Sequence, residues 1–144
     1  MKVQSILKAK GGTVETIQPG ATVILALHKL TTMGIGALVV SDDGKKVQGT
    51  LAERDVVRGL AKHGARFLEM RVAESMSRSV PVCSPEDSIK HAMAEMTRSR
   101  NRHLPVVDKG GLCGLISIGD VVKHRLEEME LENSVRRDAH IARR

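Results

Sequence analysis

The chain has 144 residues, 41% hydrophobic and 28% charged, with a formal net charge of +6 and a pI near 9.7. That length fits one compact domain or two small halves sharing a core, and no apolar run approaches the ~20 residues needed to cross a bilayer. Phe67 is the lone aromatic, so the interior must be aliphatic, and the base-stacking platforms of single-strand nucleic-acid readers are missing.

In chain order, Met1 to Lys10 alternates polar and apolar residues without a signal-peptide apolar block, so a soluble cytoplasmic protein is expected. A short extended piece ends at Pro19. A helix follows, with Val23, Leu27, Leu30 and Met33 on one face. An apolar strand over Ala37–Val40, a polar turn at Asp42-Asp43-Gly44 and a second strand over Val47–Leu51 come next. Glu53–Lys62 reads as a helix, and residues 63–71 form a connecting segment. A second extended piece ends at Pro85. Ser84-Pro85-Glu86-Asp87 predicts a helix start, with Ser as cap, Pro at the first position and acid in the first turn. Ile89, Ala92, Met93 and Met96 mark that helix's apolar face. Strands follow over Leu104–Val107 and Leu112–Ile116, joined by Asp108-Lys109-Gly110-Gly111. A last helix runs from Ile118 through alternating Glu and apolar positions. It ends in a basic tail with Arg136, Arg137, Arg143 and Arg144.

The halves repeat. Gly49-Thr-Leu-Ala-Glu-Arg-Asp-Val-Val57 aligns with Gly114-Leu-Ile-Ser-Ile-Gly-Asp-Val-Val122. Gly36–Asp42 aligns with His103–Lys109, Thr16–Gly20 with Val82–Glu86, and Val3–Leu7 with Val72–Met76. Four blocks recur in order at spacings of 65 to 69 residues. Each half is short for an independent core, so the two should pack on each other. The expectation is a mixed α/β (α+β) fold of two pseudo-symmetric β-α-β-β-α repeats. The first covers 1–62, the second 72–126, and 127–144 forms a helical extension and basic tail.

Cys83 and Cys113 belong to no CxxC motif and read as reduced core or strand thiols. His28, His63, His91, His103, His124 and His140 lack metal-ligand spacing. No nucleophile elbow, phosphate loop or dinucleotide fingerprint is present. Neither a metal site nor an enzyme with a catalytic cofactor is expected.

Arg-His-Leu-Pro-Val-Val-Asp at 102–108, Gly-Leu-Ile-Ser-Ile-Gly-Asp at 114–120 and the first-half counterparts at 36–40 and 49–55 resemble the cystathionine-β-synthase (CBS) repeat. The resemblance covers roughly residues 3–125. It implies a pair of repeats related by a pseudo-twofold axis, with two clefts for adenosine ligands such as AMP, ATP, NAD or NADH. It also implies a disk-like homodimer read by a separate effector protein.

In such clefts the resemblance assigns the ribose hydroxyls to Asp55 and Asp120, each beginning a helix where anions are favoured. Ser117 belongs to the same pattern, with Ala52 in its place in the first half. Alone, Ser117-x-x-Asp120 is equally a capping box. Arg102 and His103 align with phosphate-facing positions, and Arg can grip phosphate with its planar fork. Arg54 and Lys123 flank the two Asp residues. Ile35 and Gly36 are the uncharged counterparts of Arg102 and His103, so the clefts should be unequal. Gln18, Val23, Ser84 and Ile89 fall at positions that line the adenine slot, with core packing the plainer role for Val23 and Ile89. The main expectation is therefore a regulatory adenine-nucleotide sensor. A structural or protein-binding dimer with empty clefts is the alternative, and a basic nucleic-acid-binding module a weaker one.

Overall fold

Two aliphatic clusters organise the molecule, one beneath each repeat, and each recruits a helix from the other half of the chain. The computed structural model describes residues 1–11 and 13–142, with side chains as far as residue 139. Arg143 and Arg144 of the expected basic tail lie outside the described residues, as does the side chain of His140.

The first repeat runs β1 (Thr16–Ile17), α2 (Val23–Met33), β2 (Ala37–Val40), β3 (Gly49–Ala52) and α3 (Glu53–His63). β1 pairs parallel with β2, and β2 antiparallel with β3. The second runs α5 (Ile89–Ser99), β4 (His103–Asp108), β5 (Gly111–Ser117) and α6 (Ile118–Ala142). Its first strand shrinks to a single parallel bridge, Cys83 to Val106, matching the pairing of Ile17 with Val40. The mixed α+β architecture and the doubling are as expected.

Helices α1 (Val3–Lys10) and α4 (Val72–Ser75) begin the two halves. Each is crossed over. Val3 and Ile6 of α1 are fully buried in the cluster of the second repeat, with Ile89, Leu104 and Ile116. Val72 and Met76 join the first-repeat cluster, with Ala26, Leu38 and Leu51. Backbone bonds fix both crossings: Val3 N–H donates to Asp87 O and Val72 N–H to Ala21 O, each at 2.8 Å.

Two local expectations need correcting. Ser84-Pro85-Glu86-Asp87 forms a turn, closed by Asp87 N–H to Ser84 O at 3.0 Å. The helix starts later because Ser88 is the cap, its hydroxyl accepting from His91 N–H at 3.0 Å. Thr22 caps α2 in the same way through Leu25 N–H. Met33 is 48% exposed, and Ala26 takes its expected place in the core. The alternating N-terminal segment, not assigned to any element from the sequence, is helical.

Phe67 lies in a 3₁₀ turn, Gly64–Glu69, and is fully buried against α3. Gly59 makes room for it: a Cβ there would sit 2.2 Å from the ring. Cys83 is buried and Cys113 partly so, both as free thiols; burial pushes the Cys83 thiol up to about 12. Among the described residues, no helix is long and apolar enough to cross a membrane.

Candidate functional site

The repeats leave two adjoining clefts between them. One, of about 310 Å³, is lined by Leu7, Lys10, Ile35, Gly36, His103 and Ser117 among others. We call it the lysine cleft. The other, of about 690 Å³, is lined by Ala52, Arg54, Arg100, Arg102 and His103. We call it the arginine cleft. Both volumes fall in the small-molecule range of roughly 300–1,000 Å³. Gly36 and His103 line both clefts. The strand registers correct the sequence alignment here by one residue: Gly36 is the counterpart of Arg102, and Ala37 of His103, since Glu53 N–H donates to Gly36 O as Ile118 N–H does to Arg102 O. A Cβ at Gly36 would lie 3.2 Å from the His103 ring and 3.1 Å from Glu53 Oε1, so the junction is tight.

Asp120 stands in the first turn of α6. Its Oδ2 accepts from Ser117 N–H at 2.9 Å, while Ser117 Oγ accepts from Asp120 N–H at 3.1 Å, completing a capping box. Lys10 Nζ also donates to Oδ2, at 2.7 Å. Asp120 Oδ1 has no hydrogen-bond partner among the described residues. Burial raises the Asp120 pKa, but the Lys10 ammonium and the Ser117 amide outweigh it and hold the carboxyl below its ordinary value. An ionised acceptor therefore sits at a helix N-terminus, bonded to Lys10 and Ser117, which line the lysine cleft together with Leu7 and Ile35.

Asp55 is different. It is 3% exposed. Oδ2 accepts from Ala52 N–H and Oδ1 from the Ser77 hydroxyl, both at 2.8 Å. Ser77 also pairs with the edge of β3 through Thr50. The expectation of a ribose acceptor here meets a carboxylate already committed on both oxygens. Ser77, supplied from the second half, does not stand in for the missing cap at Ala52: its hydroxyl donates to the Asp55 carboxylate, whereas Ser117 Oγ accepts from Asp120 N–H.

Arg102 and Arg54 line the arginine cleft with Arg100, against the single carboxylate of Glu53. Arg54 is braced there, its guanidinium donating to Arg100 O and to Asn101 Oδ1. Arg100 ends α5 in the left-handed conformation, φ 59°, where the counterpart ending α2 is Gly34 at φ 63°. His103 has its pKa lowered, first by burial and then by the charge of Lys10, against the opposing pull of Glu53 and Asp120. It is neutral near pH 7.

The remaining expected residues lie apart from these linings. Val23 and Ile89 are fully buried core residues and offer a ligand no surface. Gln18 and Ser84 sit in the turns before α2 and α5: Gln18 O accepts from Ala21 N–H, and Ser84 N–H donates to Asp87 Oδ2. Lys123 is exposed on α6, outside both linings. Correction of these five has one cause. Alignment fixes which residues are equivalent, but not which side of a turn or helix faces the cleft. Lys10 and Leu7 were missed because their partners, Asp120 and Gly114, are more than a hundred residues away. The block pairing Val3–Leu7 with Val72–Met76 was the available signal.

Comparison with known proteins places these features in a family. The CBS domain model matches residues 13–62 and 71–127. A CBS domain-containing mitochondrial protein of Arabidopsis thaliana, CBSX3, is 31% identical over 134 residues. The match covers 88% of this chain and 65% of the Arabidopsis protein, so the chain spans less than two thirds of that relative. A CBS-domain containing protein from Agrobacterium tumefaciens has a crystal structure similar at TM-score 0.83 and 39% identity, over 87% of this chain and 99% of that one. The crystal structure of CBSX2 in complex with AMP is similar at TM-score 0.71 over 89% of this chain and 98% of that one. Its 24% identity limits that likeness to the fold.

Proposed function

The chain belongs to the CBS domain family, and from that premise we propose that it is a regulatory module sensing an adenine nucleotide of the AMP, ATP or NAD class. The observation that carries this is the ionised Asp120, with Oδ1 free of protein partners among the described residues, at the start of α6 and bonded to two residues that line the lysine cleft, Lys10 and Ser117. A carboxylate can accept from both ribose hydroxyls, and the helix N-terminus favours the phosphate. The adenine packs against Leu7 and Ile35. Longer phosphate chains extend past His103 toward Arg102 and Arg100. An AMP complex of a protein with this fold is consistent with that chemistry.

In this reading Asp55 is a clasp between the halves and not a ribose ligand, so one cleft does the recognition. Occupancy shifts the geometry of a cytoplasmic homodimer, and a separate effector protein responds. Such a shift requires that the nucleotide bind one geometry better than the other.

Calorimetric titration of the ligand-stripped protein with AMP, ADP, ATP, NAD and NADH tests the proposal. Asp120→Asn keeps an acceptor for the cap but loses the charge. It should weaken binding about tenfold or more, the loss of charge-assisted hydrogen bonds of roughly 1.5–3 kcal/mol. Asp55→Asn should leave affinity within about twofold in protein that remains folded, since its oxygens face Ser77 and Ala52. No heat with any of the five would leave a structural or protein-binding module with empty clefts.

A further inference from the structure

The proposed ribose acceptor, Asp120, already has a partner within the protein. Lys10 ends α1, and its Nζ donates to Asp120 Oδ2 at 2.7 Å and to Leu115 O at 3.1 Å. The ammonium thus lies across the cleft that Ser117, Leu115 and Lys10 line together. The lysine side chain keeps 42% of its exposure and Asp120 22%, so the pair is neither sealed nor fully solvated. It can be broken, at a cost that depends on what the ammonium meets next.

From this geometry we infer that Lys10 is a specificity-determining residue that selects phosphorylated nucleotides over free nucleosides. The inference rests on the nucleotide-binding reading of the cleft given above. Oδ1 of Asp120 is open, but a nucleoside that also brings a ribose hydroxyl onto Oδ2 must dislodge the ammonium from it, leaving that charge only the Leu115 carbonyl. A nucleotide brings a phosphate that takes the ammonium as a new partner. The same residue thus opposes one ligand class and holds the other. Asp120, retained by the Ser117 amide, stays in position when Lys10 leaves. Among the described residues, the other basic group in the lining is His103, which is largely neutral near pH 7, so Lys10 supplies the mobile positive charge.

The test compares AMP and adenosine, by calorimetry, in the wild type, Lys10→Met and Lys10→Arg. Lys10 is at the exposed end of α1, so both variants should keep the wild-type thermal midpoint within a few degrees. The wild type should bind AMP at least about tenfold more tightly than adenosine, the effect of one charge-assisted contact. In Lys10→Met, adenosine should bind more tightly than in the wild type and AMP more weakly, so that the ratio falls by about tenfold. Lys10→Arg should retain the preference for AMP. A wild type without that preference overturns the inference, and so does a Lys10→Met variant whose ratio stays within about twofold of wild type. Failure of the wild type to bind either compound overturns both this inference and the nucleotide reading. Binding of both, with the ratio insensitive to Lys10, overturns only the role of Lys10.

Discussion

Arg100 carries a cost that its counterpart in the first repeat avoids. The two helices α2 and α5 end alike, but Gly34 takes the left-handed turn without a side chain and Arg100 takes it with one, at φ 59°. A left-handed residue with a Cβ is disfavoured by roughly 1–2 kcal/mol. The guanidinium lines the arginine cleft, which gives the strain a use. Arg100→Gly should therefore raise stability by up to about 1 kcal/mol while weakening ATP more than AMP. Thermal midpoint and calorimetric affinity, measured together, check it; a lower midpoint would show that the turn is not strained. His103 gives the second prediction. Its folded pKa lies below the ordinary 6.5, burial being the first cause and Lys10 the second. Arg102 adds to that lowering, while Glu53 and Asp120 oppose it. The unfolded chain then binds more protons below pH 6.5, so the imidazole destabilises the fold as pH falls from that value and contributes nothing of this kind above it. His103→Gln should shrink the drop in thermal midpoint between pH 8 and pH 5. An unchanged drop would place the acid sensitivity elsewhere. Arg102 and His103 were legible in the sequence because basic residues there face uncharged ones in the first repeat, although the strand registers make those counterparts Gly36 and Ala37 and not Ile35 and Gly36. Lys10 was not legible, since nothing local distinguishes it from Lys8.

At the scale of elements, the crossing of α1 and α4 decides how the halves depend on each other. Ile6 is fully buried among residues 83–121, not among its own repeat. Ile6→Ala should cost about 2–5 kcal/mol through the transfer and cavity terms. Amide exchange should rise first in β4 and β5 and less in β2 and β3. Equal loosening of both sheets would contradict the crossed arrangement. The strands, the long helices and their order were readable from periodicity and turn residues. The crossing was not, because a helix with only two fully buried positions reads the same whichever core receives it. The start of α5 was misread for a related reason. Ser84-Pro85 and Ser88 are both plausible caps, and only the preceding turn, closed by its own backbone bond, shows which one is used. Asp55 shows the same limit in the candidate site: its residue type and place were legible, but the Ser77 hydroxyl that commits it comes from 22 residues downstream.

On the whole-molecule scale, the apolar surface left on α6 bears on the proposed homodimer. Val122, Leu126 and Met129 follow one stripe of that helix, with exposures of 41%, 55% and 44%. Leu131 and Val135 form a second stripe on its other side, at 62% and 60%. Contiguous exposed side chains of this kind mark interaction surfaces. Sedimentation at micromolar concentration should give a dimer, and Leu126→Glu with Met129→Glu should shift it to monomer; a monomeric wild type would contradict the dimer. The central proposal, however, is nucleotide recognition between the repeats. The most direct test is to titrate AMP into isotopically labelled protein and record the backbone amides by NMR. Saturable shifts should concentrate at Ile35, Gly36, His103, Ser117 and Asp120, with the 42–48 turn unmoved. Absence of shifts at the start of α6, or shifts confined to the distal turns, would contradict recognition in the lysine cleft.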